Sequence, residues 1–108
     1  MLVLLDQGTP VPLRRHLSHH IVKTANQQGW ATLANGDLLA VAEAEGFEVF
    51  VTTDKNLRYQ QDLEGRRIAV VVIGHAQWPS LEPHVALVVA AIDQAAPGSY
   101  EEVEIPDL

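Results

Sequence analysis

Two short apolar runs that each lead into an aspartate place the strongest limit on what this chain can fold into. The first is MLVLLD at residues 1–6, and the second is EVFVTTD at residues 48–54. Runs of this kind predict strands that are buried on both faces, as in a parallel sheet. Ligands of open α/β sheets bind outside the carboxyl ends of the strands. We therefore expect Asp6 and Asp54 to lie at one edge of the sheet and to face one crevice.

The rest of the chain alternates predicted strands with predicted helices. Further strands are expected over residues 19–24 and 67–73, with a last edge strand or a mobile tail over residues 100–105. Helices are expected over residues 11–17, capped by Thr9, over residues 35–45, capped by Asn35 or Asp37, and over residues 55–63 and 81–95. This order predicts a three-layer α/β/α fold with a central, mainly parallel sheet of four to five strands. The predicted domain covers residues 1–98, and residues 99–108 form an acidic C-terminal strand or tail.

Size and composition predict a soluble, cytoplasmic protein with no membrane partner. The 108 residues correspond to one domain that is large enough for a core of its own. Because the chain has no cysteine, it can form neither a disulfide nor a zinc–thiolate site. The N-terminus lacks the pattern of a signal peptide. No apolar run approaches the roughly 20 residues that span a bilayer.

The charge of the chain is unevenly distributed. The net charge is −7, and all the lysines and arginines lie at or before Arg67, so that residues 82–108 carry acids and no lysine or arginine. An acidic protein does not bind nucleic acid through a broad basic surface. If this chain acts on nucleic acid, a local basic patch or a metal ion must supply the positive charge.

Carboxylates at the ends of predicted elements are the main candidates for chemistry. Asp6 and Asp54 follow strands, Asp37 lies at the start of a helix, and Asn56 follows Asp54 by two residues. Oxygen ligands grouped in this way suit a hard cation, Mg²⁺ or Mn²⁺. The alternative for each aspartate is a helix cap or a turn residue, since carboxylates are common in both places.

Two stretches of the chain resemble the small PIN-like (PilT N-terminal-like) proteins. The opening MLVLLDQGTPVPLRRHL resembles their start, a strand ending in Asp, then Glu-Asn-Leu-Pro and a short helix. The stretch GWATLANGDLLAVAEAEGFEVFVTTDKNL resembles their middle, in which a Gly-Trp or similar loop precedes a helix with an early acid and a strand ending in Thr-x-Asp-x-Asp. The resemblance covers roughly residues 1–75.

The resemblance implies a metal-dependent ribonuclease, with RNA as substrate and Mg²⁺ or Mn²⁺ as cofactor. It also implies a toxin component that pairs with an antitoxin-like protein. Apart from the resemblance, the acidic C-terminal segment leaves a homodimer as a further possibility. Carried over by position, Asp6, Asp37 and Asp54 match the metal site, and Asn56 stands where a further Asp is usual. Gln7 stands where Glu is frequent. Since both departures remove a negative charge, the alternative is a catalytically weakened PIN-like module that acts through protein–protein binding.

Polar and basic side chains near these aspartates are the candidates for binding RNA phosphates. Their alternatives are solvated helix positions for the arginines and ordinary strand propensity for the threonine. The candidates are Arg14, Arg15, Thr53, Lys55 and Arg58.

Two further hypotheses are less favoured by the residues. His16, His19 and His20 invite a transition-metal site, but a helix-to-strand turn predicts no fixed ligand geometry. A phosphoacceptor domain of the receiver type would need a second acid near Asp6 and a lysine after a late strand. Gln7 is not acidic, and the chain has no lysine after Lys55.

Overall fold

The computed structural model of this chain describes residues 1–57, 63, 65–74 and 77–106. Five strands and three α-helices are defined there, with two short 3₁₀ helices. The strands are β1 (Leu2–Leu5), β2 (Ile21–Thr24), β3 (Val49–Thr52), β4 (Ala69–Ile73) and β5 (Tyr100–Val103). The helices are α1 (Asn35–Ala44), α2 (Trp78–Leu81) and α3 (Val85–Asp93), and the 3₁₀ helices are Val11–Leu17 and Glu82–His84.

The five strands form one all-parallel sheet in the order β2-β1-β3-β4-β5. This confirms the predicted α/β class with a central parallel sheet. The chain moves from β1 outward to β2 and then returns to β3 on the other side of β1. The strand order therefore reverses between β1 and β3, which is where ligands bind in sheets of this kind.

Apolar side chains cover both faces of the sheet, as the continuous apolar runs require. Val3, Leu5 and Val51 face a core that includes residues of the first 3₁₀ helix, α2 and α3. Leu4 and Phe50 face a second core that includes residues of α1. Helices on both faces make three layers, and they leave the strand ends as the places where polar groups of the sheet meet solvent.

The predicted caps of two helices are wrong. The residue before α1 is Ala34, so Asn35 and Asp37 lie inside the helix, and the 3₁₀ helix at Val11 follows Pro10 rather than Thr9. The reason is that the polar side chains are used elsewhere. Thr9 donates its hydroxyl to the carbonyl oxygen of Val51 at 3.2 Å, and Asn35 contacts a strand end described below.

Other boundaries differ less from the predictions. The C-terminal segment forms β5, which is the strand alternative, and Gly46 ends α1 with a φ of +87°. The helix expected over residues 81–95 is interrupted at Glu82–His84, since Pro83 lacks an N–H and crowds the preceding turn. Most of the helix expected over residues 55–63 lies outside the described residues. None of the described helices has the length and apolarity needed to cross a bilayer.

Candidate functional site

Asp6 and Asp54 lie at the carboxyl edge of the sheet, on the two strands between which the strand order reverses. Asp6 directly follows β1, and Asp54 follows the last residue of β3 by two positions. The register pairs Leu5 with Val51, and the N–H of Asp6 continues this ladder by donating to the carbonyl oxygen of Val51 at 2.9 Å. The two half-buried aspartates therefore share one edge, as the sequence predicts.

Thr52 connects the two aspartates through its hydroxyl. This residue is fully buried, and its Oγ1 donates to Oδ2 of Asp6 at 2.7 Å. The same oxygen accepts a hydrogen bond from the backbone N–H of Asp54 at 3.1 Å. One buried hydroxyl thus fixes the direction of one carboxylate and the backbone of the other.

Neutral groups hold the remaining carboxylate oxygens. Oδ2 of Asp54 accepts from the side-chain amide of Asn35 at 2.8 Å, and Oδ1 accepts from the backbone N–H of Asn56 at 2.9 Å. Oδ1 of Asp6 accepts from the N–H of Gln7 at 2.8 Å. An ionised carboxylate offers about four lone-pair directions, so each aspartate keeps oxygen capacity for a further ligand. We call Asp6, Asn35, Thr52 and Asp54 the carboxyl-edge site.

Asp6 and Asp54 form no ion pair within the part of the chain that the structure describes. The two ion pairs of the described residues, at a limit of 4.0 Å between nitrogen and oxygen, both involve Asp93 at the other edge of the sheet. Two half-buried carboxylates that are oriented by neutral donors and lack a positive partner suit a hard cation, because Mg²⁺ and Mn²⁺ prefer oxygen ligands. The residues present therefore fit such an ion.

Asp37, the third predicted metal ligand, lies in the first turn of α1 and is exposed. The carboxylate oxygens of Asp6, Asp37 and Asp54 do not all lie within 4.8 Å of one another in the part of the chain that the structure describes. The expected separation of about 4 to 8 Å between carboxyl groups sharing a cation is a wider limit, and it stays a prediction.

The predicted RNA-binding residues occupy different surroundings. Arg14 and Arg15 are exposed on the first 3₁₀ helix. Thr53 is half-buried, and its Oγ1 would lie 3.1 Å from a Cβ atom at Gly8, so the loop after β1 packs closely on it. Lys55 lines a small hollow of about 40 Å³ on the β4–β5 side. Arg58 lies outside the described residues.

A second polar cluster lies at the opposite, amino edge of the sheet. His19 and His20 precede β2, and Asp93 ends α3. Nε2 of each histidine lies 2.6 Å from the same oxygen, Oδ1 of Asp93. Hydrogen bonds from His20 and then His19 lower the pKa of Asp93 below its ordinary value of 3.8. We call these three residues the histidine–aspartate cluster.

Sequence reasoning considered these histidines but missed Asp93. The aspartate is 73 residues from His20 along the chain, and no local pattern connects them. The paired histidines before a predicted strand are the signal that the sequence offers, and the third member depends on how α3 packs against the sheet.

A cavity lined by described residues lies away from the carboxyl-edge site. It has a volume of about 560 Å³ at the amino edge, and Glu43, Glu48 and Arg67 are among its lining residues. Glu43 accepts hydrogen bonds from the N–H groups of Arg67 and Ile68, and Glu48 accepts from Leu2. These two carboxylates bind backbone N–H groups near the starts of strands, so they hold the fold together at this edge. We therefore place the candidate chemistry at the carboxyl edge.

Comparisons with protein-family models, with curated proteins and with solved structures give no significant match to this chain. The resemblance to PIN-like proteins therefore stays a prediction that rests on the residues quoted for it.

Proposed function

We propose that this protein is a metal-dependent ribonuclease that hydrolyses phosphodiester bonds at the carboxyl-edge site. The observation that carries the proposal is the hydrogen-bonded row from Asp6 through Thr52 to Asp54 and Asn35. This row lies where the strand order reverses, and its carboxylates have no ion-pair partner among the described residues. Two oriented carboxylates with unused lone pairs would supply part of the oxygen ligand set of a hard cation.

In this proposal Asp6 and Asp54 would hold Mg²⁺ or Mn²⁺, and Asp37, on α1, would act through a water molecule bound to the ion or move closer to bind it directly. A bound ion of this kind supplies Lewis-acid chemistry, which activates water and offsets negative charge on the phosphodiester. Thr52 and Asn35 keep the carboxylates in one orientation, so little reorganisation is needed when the ion binds.

Neutral residues at two positions predict a weak metal site. Gln7 and Asn56 are amides where the PIN-like pattern has acids, and an amide contributes no charge to hold a cation. The side chain of Asn56 remains available to orient water, since the contact it makes with Asp54 uses its backbone N–H. We therefore expect metal affinity below that of sites with four or five carboxylates.

The RNA would be held by local cations rather than by a broad basic surface. The candidates are Arg14, Arg15, Lys55 and Arg58, with Thr53 as a hydroxyl donor. Because the salt dependence of binding follows the number of phosphates that cations contact, RNA binding through these few cations should weaken only moderately with added salt. The role as a toxin component with an antitoxin-like partner rests on the resemblance alone. A cytoplasmic location and a homodimer are also parts of the proposal, the first from composition and the second from the acidic C-terminal segment, which could pair with another subunit.

The test combines Mg²⁺ titration by calorimetry with an RNA-cleavage assay. We expect saturable Mg²⁺ binding and cleavage that requires Mg²⁺ or Mn²⁺, with both lost in Asp54→Ala. Glu45→Gln is the matched control, because Glu45 is exposed at the other end of α1 and its loss changes net charge without touching the site. Cleavage that persists in Asp54→Ala, or that is lost equally in Glu45→Gln, would contradict the proposal.

The alternative function is a weakened PIN-like module that acts through protein–protein binding. The amides at Gln7 and Asn56 favour it, because they remove two charges from the site. A folded protein that neither binds Mg²⁺ nor cleaves RNA at any concentration tested would select this alternative over the nuclease.

A further inference from the structure

The histidine–aspartate cluster at the amino edge brings together ligands from two separate parts of the fold, the turn before β2 and the end of α3. His19 lies in the turn after the first 3₁₀ helix, His20 precedes β2, and Asp93 is the last residue of α3. Their candidate ligand atoms all lie within 4.8 Å of one another, and among the described residues they are the group of three that meets this limit. This cluster plays no part in the proposed nuclease site.

Backbone hydrogen bonds hold the cluster in place before any ligand arrives. The N–H of His20 donates to the carbonyl oxygen of Leu17 at 2.9 Å, and the N–H of Ile21 donates to that of Met1 at 3.0 Å. The side chain of His20 is 6% exposed, whereas those of His19 and Asp93 are 52% and 42% exposed. One ligand is therefore buried and fixed, and the other two can adjust.

The electrostatics of α3 favour a cation at this place. Asp93 puts a carboxylate at the C-terminal end of a nine-residue helix that has no basic residue in its last turn. The C-terminal end of a helix carries partial negative charge, so a carboxylate there is unfavourable unless a positive group compensates it. In the metal-free chain both imidazoles contact this carboxylate, and the Met1 ammonium lies 3.1 Å from Nδ1 of His20. A cation between Asp93 and the two imidazoles would replace the imidazoles as the compensating partner of the carboxylate.

We propose that His19, His20 and Asp93 form a site for a divalent transition-metal ion, with Zn²⁺ as the expected occupant. Two imidazole nitrogens and one carboxylate oxygen are a usual protein ligand set for Zn²⁺, with water in the fourth position. Tetrahedral ligands about 2.0–2.1 Å from the ion stand about 3.3 Å apart. Both Nε2 atoms are 2.6 Å from Oδ1, so the site must open by under about 1 Å, which the exposed side chains of His19 and Asp93 permit.

The site would join the start of β2 to the end of α3. An ion that binds only the folded chain stabilises it by an amount that grows with the logarithm of its concentration relative to its dissociation constant, so Zn²⁺ should raise the thermal unfolding midpoint. Mg²⁺ should not substitute, because it prefers oxygen ligands and dehydrates reluctantly. The Zn²⁺ site is independent of the nuclease proposal, and either can fail without the other.

The experiment is calorimetric titration of Zn²⁺ into the full chain, prepared without a polyhistidine tag and with its own N-terminus. We expect one Zn²⁺ per chain, with affinity reduced at least about tenfold in His19→Ala and in Asp93→Asn, since each removes one of three protein ligands. His16→Ala is the matched control, because His16 lies on the neighbouring 3₁₀ helix against Trp78. This control should bind Zn²⁺ as the wild type does.

A second measurement needs no variant. In the wild-type chain, Zn²⁺ should shift the imidazole nitrogen resonances of His19 and His20 and leave those of His16 unchanged. The proposal is overturned if no stoichiometric Zn²⁺ binding occurs, if the shifts centre on His16, or if folded His19→Ala and Asp93→Asn bind as tightly as the wild type.

Discussion

The two edges of the sheet hold carboxylates in opposite ways. At the carboxyl edge, Asp6 and Asp54 accept hydrogen bonds only from neutral donors, a hydroxyl, an amide and backbone N–H groups, among the described residues. At the amino edge, one carboxylate oxygen of Asp93 meets two imidazole nitrogens. The first arrangement offers oxygen atoms and net negative charge, and the second offers nitrogen atoms and one oxygen.

On the two proposals above, the two edges of the same sheet would prefer different cations. Hard ions such as Mg²⁺ and Mn²⁺ prefer carboxylate oxygen, and borderline ions such as Zn²⁺ accept imidazole nitrogen. The carboxyl-edge site and the histidine–aspartate cluster should therefore respond to different ions and to different substitutions.

The largest expected effect comes from removing one charge at each edge in turn. Asp54→Asn should abolish Mg²⁺ binding and leave Zn²⁺ binding at the histidine–aspartate cluster unchanged. Asp93→Asn should weaken Zn²⁺ binding and leave Mg²⁺ binding unchanged. Titration of each variant with each ion by calorimetry measures all four outcomes.

The same four titrations can also contradict the view that the two edges are separate sites. If Asp54→Asn weakened Zn²⁺ binding as much as Mg²⁺ binding, the two edges would not be separate sites. Circular dichroism of both variants is the control for folding, since each substitution keeps the shape of the side chain.

A smaller effect is expected from Thr52→Val, which removes the hydroxyl between the two aspartates and keeps the volume. The backbone N–H of Asp54 would lose its acceptor and Asp6 would lose a donor, at a cost of about 1–3 kcal/mol in the free energy of unfolding. Urea unfolding followed by circular dichroism measures this. Thr52→Ser keeps the hydroxyl and should retain the Asp6 contact, so equal losses in both variants would show that packing alone is responsible.

Next in size is the effect of Asn35→Ala on metal affinity. The amide of Asn35 orients Oδ2 of Asp54, and losing an outer hydrogen bond of this kind typically weakens metal binding about 10- to 100-fold. Mg²⁺ titration of Asn35→Ala measures the loss. Asn26→Ala, in the exposed loop after β2, is the control. An unchanged Mg²⁺ affinity in Asn35→Ala would show that the Asn35 amide plays no part in metal binding.

The smallest effect concerns the acid titration of Asp93. Its pKa is lowered from 3.8 by hydrogen bonds from His20 and then His19, so it should titrate below 3.8 in carboxyl NMR spectra recorded without metal. Because the folded pKa lies below the unfolded one, these contacts stabilise the fold above pH 3.8 and lose their effect as pH falls through the folded value. His19→Gln and His20→Gln should each raise the pKa, and a wild-type value at or above 3.8 would contradict the geometry.

The sheet could be predicted because its information is local. Val49–Val51 are apolar without a break, and a short run of this kind is typical of a strand that is buried on both faces. The aspartates at their ends were therefore predictable as neighbours once the strands were taken as parallel. The apolar pattern of residues 81–95 predicted one continuous helix, but the helix is interrupted at Glu82–His84, where Pro83 lies.

The side-chain contacts within each site were less predictable, because they join distant residues. Asn35 and Thr9 carry the residue types of helix caps, and the sequence cannot show that a strand end uses their side chains instead. Likewise, His20 and Asp93 come together only when α3 packs beside the first 3₁₀ helix. Residue type and spacing thus predicted which edge carries the aspartates, and tertiary packing decided which partners they have.

The most direct test of the central claim is paramagnetic broadening by Mn²⁺ in the ¹⁵N-labelled chain. Broadening falls steeply with distance, so it reports where the ion binds. We predict that the amide signals of Asp6, Thr53 and Asp54 broaden first, that excess Mg²⁺ restores them, and that Asp54→Asn prevents the effect. Broadening centred on His19, His20 and Asp93, or spread without a centre, would contradict a cation site at the carboxyl edge.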